Sequence, residues 1–224
     1  IVVTTCDNVC MFVEAMKRLL AQIISRDTTD FDEKTKLLTE IFEPQLKKLR
    51  GVSRLAEDWV KDQLLNPAGV NGAELSLGQA IEKFGEDYFV LGSSPNMFTD
   101  YSWYKDIWVN QRETYIKEFE EKRLSLLLAG SPEIVLPKAL CDNLAERFNK
   151  IKLLANEYET NFSDDILTKI AENLKKLDEE ASVLSDDFRL ILKEIIEAVD
   201  FVKTNDAKNL PWENYKRFFG AFGR

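Results

Sequence analysis

Histidine is absent from this 224-residue chain, and that absence removes more chemistry than any other feature of its composition. No imidazole base, His-containing triad or His-ligated zinc or iron site can be built within it. Cysteine is scarce and odd in number. Cys6, Cys10 and Cys141 have no framework spacing, so a reducing, cytoplasmic setting is expected; the Cys6/Cys10 pair supplies only half of a structural zinc's ligands, and no metal is expected. Nine glycines and six prolines are few for this length, which favours long helices over many turns.

Long apolar runs are missing too. Residues 9–24 are interrupted by Glu14, Lys17 and Arg18, short of the ~20 residues that a membrane span needs. The first residues lack the charged, apolar and cleavage regions of a signal peptide. Positive charge is in deficit: the formal net charge is −9, and acidic residues, Asp164, Asp165 and Asp178 to Glu180 among them, dominate between Asn161 and Asp200. Neither nucleic acid nor an anionic membrane is therefore expected as a partner. No Gly-x-Gly-x-x-Gly, phosphate-binding Gly-Lys-Ser/Thr loop or Gly-x-Ser-x-Gly elbow occurs, and Ser93 and Ser94 lack a nearby base in sequence.

What is present is helical periodicity. Hydrophobic residues at 45% and charged residues at 31% suit a globular protein of one domain, or one domain with an appendage. Val9, Phe12, Val13, Met16, Leu19, Leu20, Ile23 and Ile24 repeat at three and four, after a cap at Asp7 or Asn8. Asp30 with Glu33 and Ser76 with Gln79 read as capping boxes, each opening a helix. Pro44 is expected to kink or end the first of these helices, Ser53 to open a short helix through Trp59 and Leu64, and Gly85 to close another as a left-handed cap. A helical pattern spans 104–129. Beyond the Gly130-Ser131-Pro132 break, patterns over 138–158, from Ser163 and from Ser185 read as an antiparallel bundle, followed by an aromatic tail over 211–222.

The predicted fold is mostly α: a helical bundle with one or two short β-strands, around 1–5 and 88–91, consistent with the C-terminal part of a larger α/β fold. The predicted domains are 1–130, helical with short strands and an aromatic loop, and 131–224, an antiparallel bundle with its aromatic tail.

Residues 89–108 break the pattern. An apolar stretch gives way to a Gly-Ser-Ser-Pro turn and then a loop carrying Asp100, Tyr101, Trp103, Tyr104 and Lys105. Rings beside charges on a loop suit a site where aromatics stack on a flat or cationic ligand and a carboxylate orients it. They equally suit a plug at one end of a helical core. Cys6, Asp7 and Asn8 form a second candidate, because the carboxyl end of a parallel strand is where α/β folds place ligand contacts. A helix cap with a small buried thiol explains the same residues.

The segments IVVTTCDNVCMFVEAMKRLL, DWVKDQLLNPAG and FVLGSSPNMFTDYSWYKDI together resemble the C-terminal half of bacterial class I methyltransferases that use S-adenosylmethionine. The resemblance covers about the first half of the chain. It implies that 1–5 is a late sheet strand, that Cys6 to Asn8 is its functional corner, and that the loop after 88–91 closes over an acceptor, with Asp100, Tyr101, Trp103, Tyr104 and Lys105 on the substrate side. The implied activity is transfer of a methyl group from S-adenosylmethionine to a small-molecule or glycan-type acceptor. The glycine-rich loop and the acidic residue that hold the cofactor belong to the family's N-terminal half, so the expectation is that this chain begins within a longer protein. The alternative is a non-catalytic helical module that binds another protein through its bundle and tail.

Overall fold

The computed structural model describes residues 9, 11–47, 54–67, 75–88, 90, 93, 112–127 and 133–204. It is mostly helical, as expected, and no strand occurs among the described residues. Of the expected strand at 88–91, Tyr88 has extended backbone (φ −130°, ψ 140°) but neither it nor Val90 joins a ladder. The other expected strand, 1–5, lies outside the described residues, as do the aromatic loop and the tail.

The chain divides into two compact units, each discontinuous in sequence: 1–11 with 73–149, and 12–72 with 150–224.

The first unit contains α4 (Leu77–Phe84), α5 (Arg112–Lys122) and the opening half of α6 (Lys138–Thr160). Helix α4 begins with a complete capping box: the Gln79 amide donates to Ser76 Oγ at 3.1 Å, and the Ser76 amide to Gln79 Oε1 at 3.0 Å. These bonds satisfy donors that the first turn cannot satisfy itself. Gly85 ends the helix with φ +69°, as glycine permits, but its ψ of −160° departs from the left-handed helical cap expected there. Ile81 and Phe119 join α4 to α5, flanked by Leu77, Val90, Tyr115, Ile116 and Leu126. Arg112 Nη2 donates to the Glu82 carbonyl at 2.8 Å, a cation on the last turn of α4, where the helix dipole favours it. A 3-10 turn, Arg123–Leu127, follows α5, and Ser125 Oγ both accepts from the Ile134 amide (2.8 Å) and donates to its carbonyl (3.2 Å).

The second unit holds α1 (Met11–Ile24) from Phe12 onward, α2 (Phe31–Leu46), α3 (Ala56–Trp59), the closing half of α6, α7 (Asp164–Glu180) and α8 (Asp186–Thr204). Helix α2 passes Pro44 and ends at Leu46; its start is capped by Asp30 Oδ1, which accepts from the Glu33 amide at 2.9 Å. Helix α3 opens on Leu55 without a side-chain cap, and Ser53, the expected opener, lies outside the described residues. Ser163 precedes α7 but makes no capping bond, whereas Ser185 Oγ accepts from the Phe188 amide at 3.3 Å at the start of α8.

The core of this unit comes from the expected stripes. Phe12, Met16 and Leu20, then Leu38, Ile41 and Phe42, then Ile170, Leu174 and Leu177, then Phe188, Leu192, Ile195 and Val199 are all almost completely buried. Phe12 meets Phe188 at 6.1 Å between ring centroids, which ties α1 to α8. Helices α7 and α8 pack along one another, with Lys175 and Asp200 paired at 2.8 Å on their rim.

Candidate functional site

Helix α1 is buried around most of its circumference, and this forces its charged residues to find partners. Lys17 and Arg18 are each only 6% exposed. A buried charge is tolerated only when paired and hydrogen-bonded. Arg18 Nε donates to Glu159 Oε2 at 2.8 Å and Nη2 to Glu159 Oε1 at 2.7 Å, a bidentate fork onto α6. Its remaining nitrogen, Nη1, donates to the Asn66 carbonyl at 2.7 Å and reaches the Gln63 carbonyl at 3.5 Å. Gln22 Nε2 adds a bond to Glu159 Oε1 at 3.3 Å. Lys17 pairs with Glu14 at 2.8 Å and lies 5.5 Å from the ring centroid of Trp59.

The carbonyls that Arg18 grips belong to an unusual turn. Ala56 to Trp59 wind as an α-helix, but Val60 to Leu64 continue as a π-helix, with the Leu65 amide bonded to the Val60 carbonyl at 3.1 Å. Asp62 on this turn accepts from Arg54 and from Gln63, which hold its carboxyl below the usual carboxylate range, Arg54 foremost. Pi-turns are rare and cluster at functional positions, which makes this cluster the strongest candidate site among the described residues.

Its chemistry is that of a fastening. Both Glu159 oxygens are engaged, and the Arg18 fork is aimed at protein acceptors. Among the described residues no group of three His, Cys, Asp or Glu side chains gathers to hold a metal, and no helix is long and apolar enough to cross a membrane.

In the first unit, the Cys141 thiol is fully buried, with Sγ 3.7 Å from the Glu121 carbonyl and 3.6 Å from that of Leu136. Burial, and secondarily the Asp142 charge, push its pKa up, so the thiol stays protonated and is a poor nucleophile. Lys138 bridges Asp142 (2.9 Å) and Glu120 (3.0 Å) at the surface, and these bonds raise its pKa.

The site residues read from the sequence, Cys6, Asp7, Asn8, Asp100, Tyr101, Trp103, Tyr104 and Lys105, all lie outside the described residues. Sequence reasoning passed over Arg18, Lys17 and Glu159, taking the two cations only as interruptions of an apolar run. A usable signal existed: apolar residues occupy so much of the α1 surface that adjacent cations there have little water to face. Glu159, 141 residues from Arg18, carries no such signal.

Comparisons of the chain with protein-family models, with curated proteins and with solved structures return no match.

Proposed function

We propose that this chain is a non-catalytic helical module that recognises another protein in the cytoplasm. The observation that carries the reading is the Arg18–Glu159 cluster, whose buried donors and acceptors are turned on one another and on backbone, the arrangement of a scaffold. Large apolar side chains exposed outside such a scaffold are the material of recognition: Phe31 and Leu153, on α2 and α6, are 51% and 56% exposed, and Leu55, just before α3, is 73% exposed. The odd, sparse cysteines support the cytoplasmic assignment. A photo-crosslinking residue placed in turn at Leu55 and Leu153, in the cell that makes the protein, tests the proposal. One discrete adduct, weakened when the other position is changed to Asp, supports it; diffuse or absent adducts from both sites overturn it.

The second reading is the substrate-side portion of a methyltransferase-like protein, favoured by the resemblance carried in residues 1–20, 58–69 and 89–107. In this reading S-adenosylmethionine is the cofactor, and the glycine-rich loop and acidic residue that hold it in the resembled family have no counterpart among these 224 residues. Asp100, Tyr101, Trp103, Tyr104 and Lys105, together with Cys6, Asp7 and Asn8, hold the acceptor. Calorimetry of the full-length protein with S-adenosylmethionine decides it. Measurable binding, with Trp103→Ala or Tyr104→Ala damaging acceptor turnover more than cofactor affinity, favours the enzyme; no heat and no thermal shift removes it.

A further inference from the structure

The π-turn at Val60 to Leu64 is held at both ends by consecutive residues of α1. Before the turn stands Trp59, flanked by the Lys17 ammonium at 5.5 Å and by the Phe42 ring at 5.9 Å. After it stand the Gln63 and Asn66 carbonyls, gripped by Arg18 Nη1. The guanidinium cannot swing away, because both oxygens of Glu159 hold its opposite edge. Val60 and Leu64 are themselves fully buried.

A wide turn is less favourable than the α-helix it interrupts, and it persists where surrounding contacts impose it. The same segment has a close alternative. If the Leu65 amide bonded to the Lys61 carbonyl in place of the Val60 carbonyl, α3 would run on as an ordinary helix. Removing one residue's worth of extra winding turns everything after it by about 100°. The Asn66 carbonyl would then leave Arg18, so the latch and the wide turn stand or fall together.

We infer that residues 60–66 are a two-register helix, latched in the wide register by the Arg18 grip on Asn66 and Gln63 and by Glu159 behind it. The Arg18–Glu159 pair is therefore a conformational latch that sets the direction in which the chain leaves the turn, in addition to joining helices.

Residue-resolved NMR on the full chain tests this, with Arg18→Met, Glu159→Gln and, as a control, Lys175→Met on the α7–α8 rim. The latch predicts that in the first two variants the Leu65 amide loses at least tenfold more protection than the amides of Ile170 and Leu174, which register only the lowered stability of the unit as a whole. It also predicts that the through-hydrogen-bond coupling from the Leu65 nitrogen moves from the Val60 carbonyl to that of Lys61. Retention of the Val60 coupling in both variants overturns the inference. So does equal loss of protection at Leu65, Ile170 and Leu174, which marks general destabilisation. If neither variant folds, relaxation dispersion on the unsubstituted chain decides: exchange confined to 61–66 supports the two registers, and flat profiles there overturn them.

Discussion

Phe119 Cδ1 lies 3.2 Å from where a β-carbon on Gly78 would stand, so the ring of α5 rests against the bare backbone of α4. Glycine inside a helix costs roughly 0.5–1 kcal/mol relative to alanine, and here the close approach of Phe119 is its reason. Gly78→Ala should leave stability within about 1 kcal/mol, the helical gain offsetting a slight displacement of the ring. Gly78→Leu should lose about 1–3 kcal/mol through overpacking. Urea denaturation of both variants checks the pair, and a harmless leucine would mean that Phe119 is free to move.

Arg18→Met should destabilise the second unit by about 1.5–3 kcal/mol, because the Glu159 carboxylate, 17% exposed, keeps only the Gln22 amide in place of the guanidinium fork. Replacing both residues, Arg18→Met with Glu159→Met, should recover part of that loss. Recovery should be incomplete, since the Asn66 carbonyl keeps no donor from α1. A double variant no better than the single one would contradict the assignment of the penalty to the stranded carboxylate.

Asn173 is 6% exposed on the buried stripe of α7; its Nδ2 donates to the Lys169 carbonyl at 2.7 Å, while its Oδ1 is buried without a bond. Asn173→Leu should therefore raise stability by about 1–3 kcal/mol, the penalty of an unmet buried acceptor. Leu174→Ala, one residue on at a fully buried position, should cost about 2–5 kcal/mol. Thermal melts of the two variants should shift in opposite directions.

Cys141 offers a pH test. Its thiol pKa is raised in the folded state, so the folded protein keeps that proton after the unfolded chain has begun to release it. Its contribution to stability is complete below about pH 8.5, the free thiol's ordinary pKa, and is lost as pH rises through the folded value. In a Cys6→Ser, Cys10→Ser background, a thiol reagent at pH 8 should label Cys141 at the rate of unfolding. Rapid labelling without denaturant would show the thiol to be reachable from the native state.

Helix positions were legible because burial and periodicity agree in them: the stripes of α1, α2, α7 and α8 supply the buried residues, the Ser76–Gln79 box is complete, and of the Asp30–Glu33 box only the bond from the Glu33 amide to Asp30 forms. The pairing of Arg18 with Glu159 was not, since periodicity says which face is apolar but not which distant charge meets it. The π-turn was equally hidden. Val60 and Leu64 are spaced as an α-helix would space them, and the contacts that α1 makes on either side of the turn leave no mark in that spacing. Pro44 stands inside the last turn of α2, which ends two residues later at Leu46. The aromatic loop and the Cys6 to Asn8 corner lie outside the described residues and remain proposals.

The second unit is assembled from two stretches of chain, 12–72 and 150–224, with a whole unit's worth of sequence between them. A ribosome adding about 5–20 residues per second needs roughly 7–28 s to travel from Arg18 to Glu159. Throughout that interval Arg18 lacks its carboxylate partner and Phe12 lacks Phe188, whereas Lys17 already has Glu14 and Trp59 in the first stretch. The core of the second unit therefore cannot close until the later stretch is made, and slow translation ahead of residue 150 would lengthen that delay.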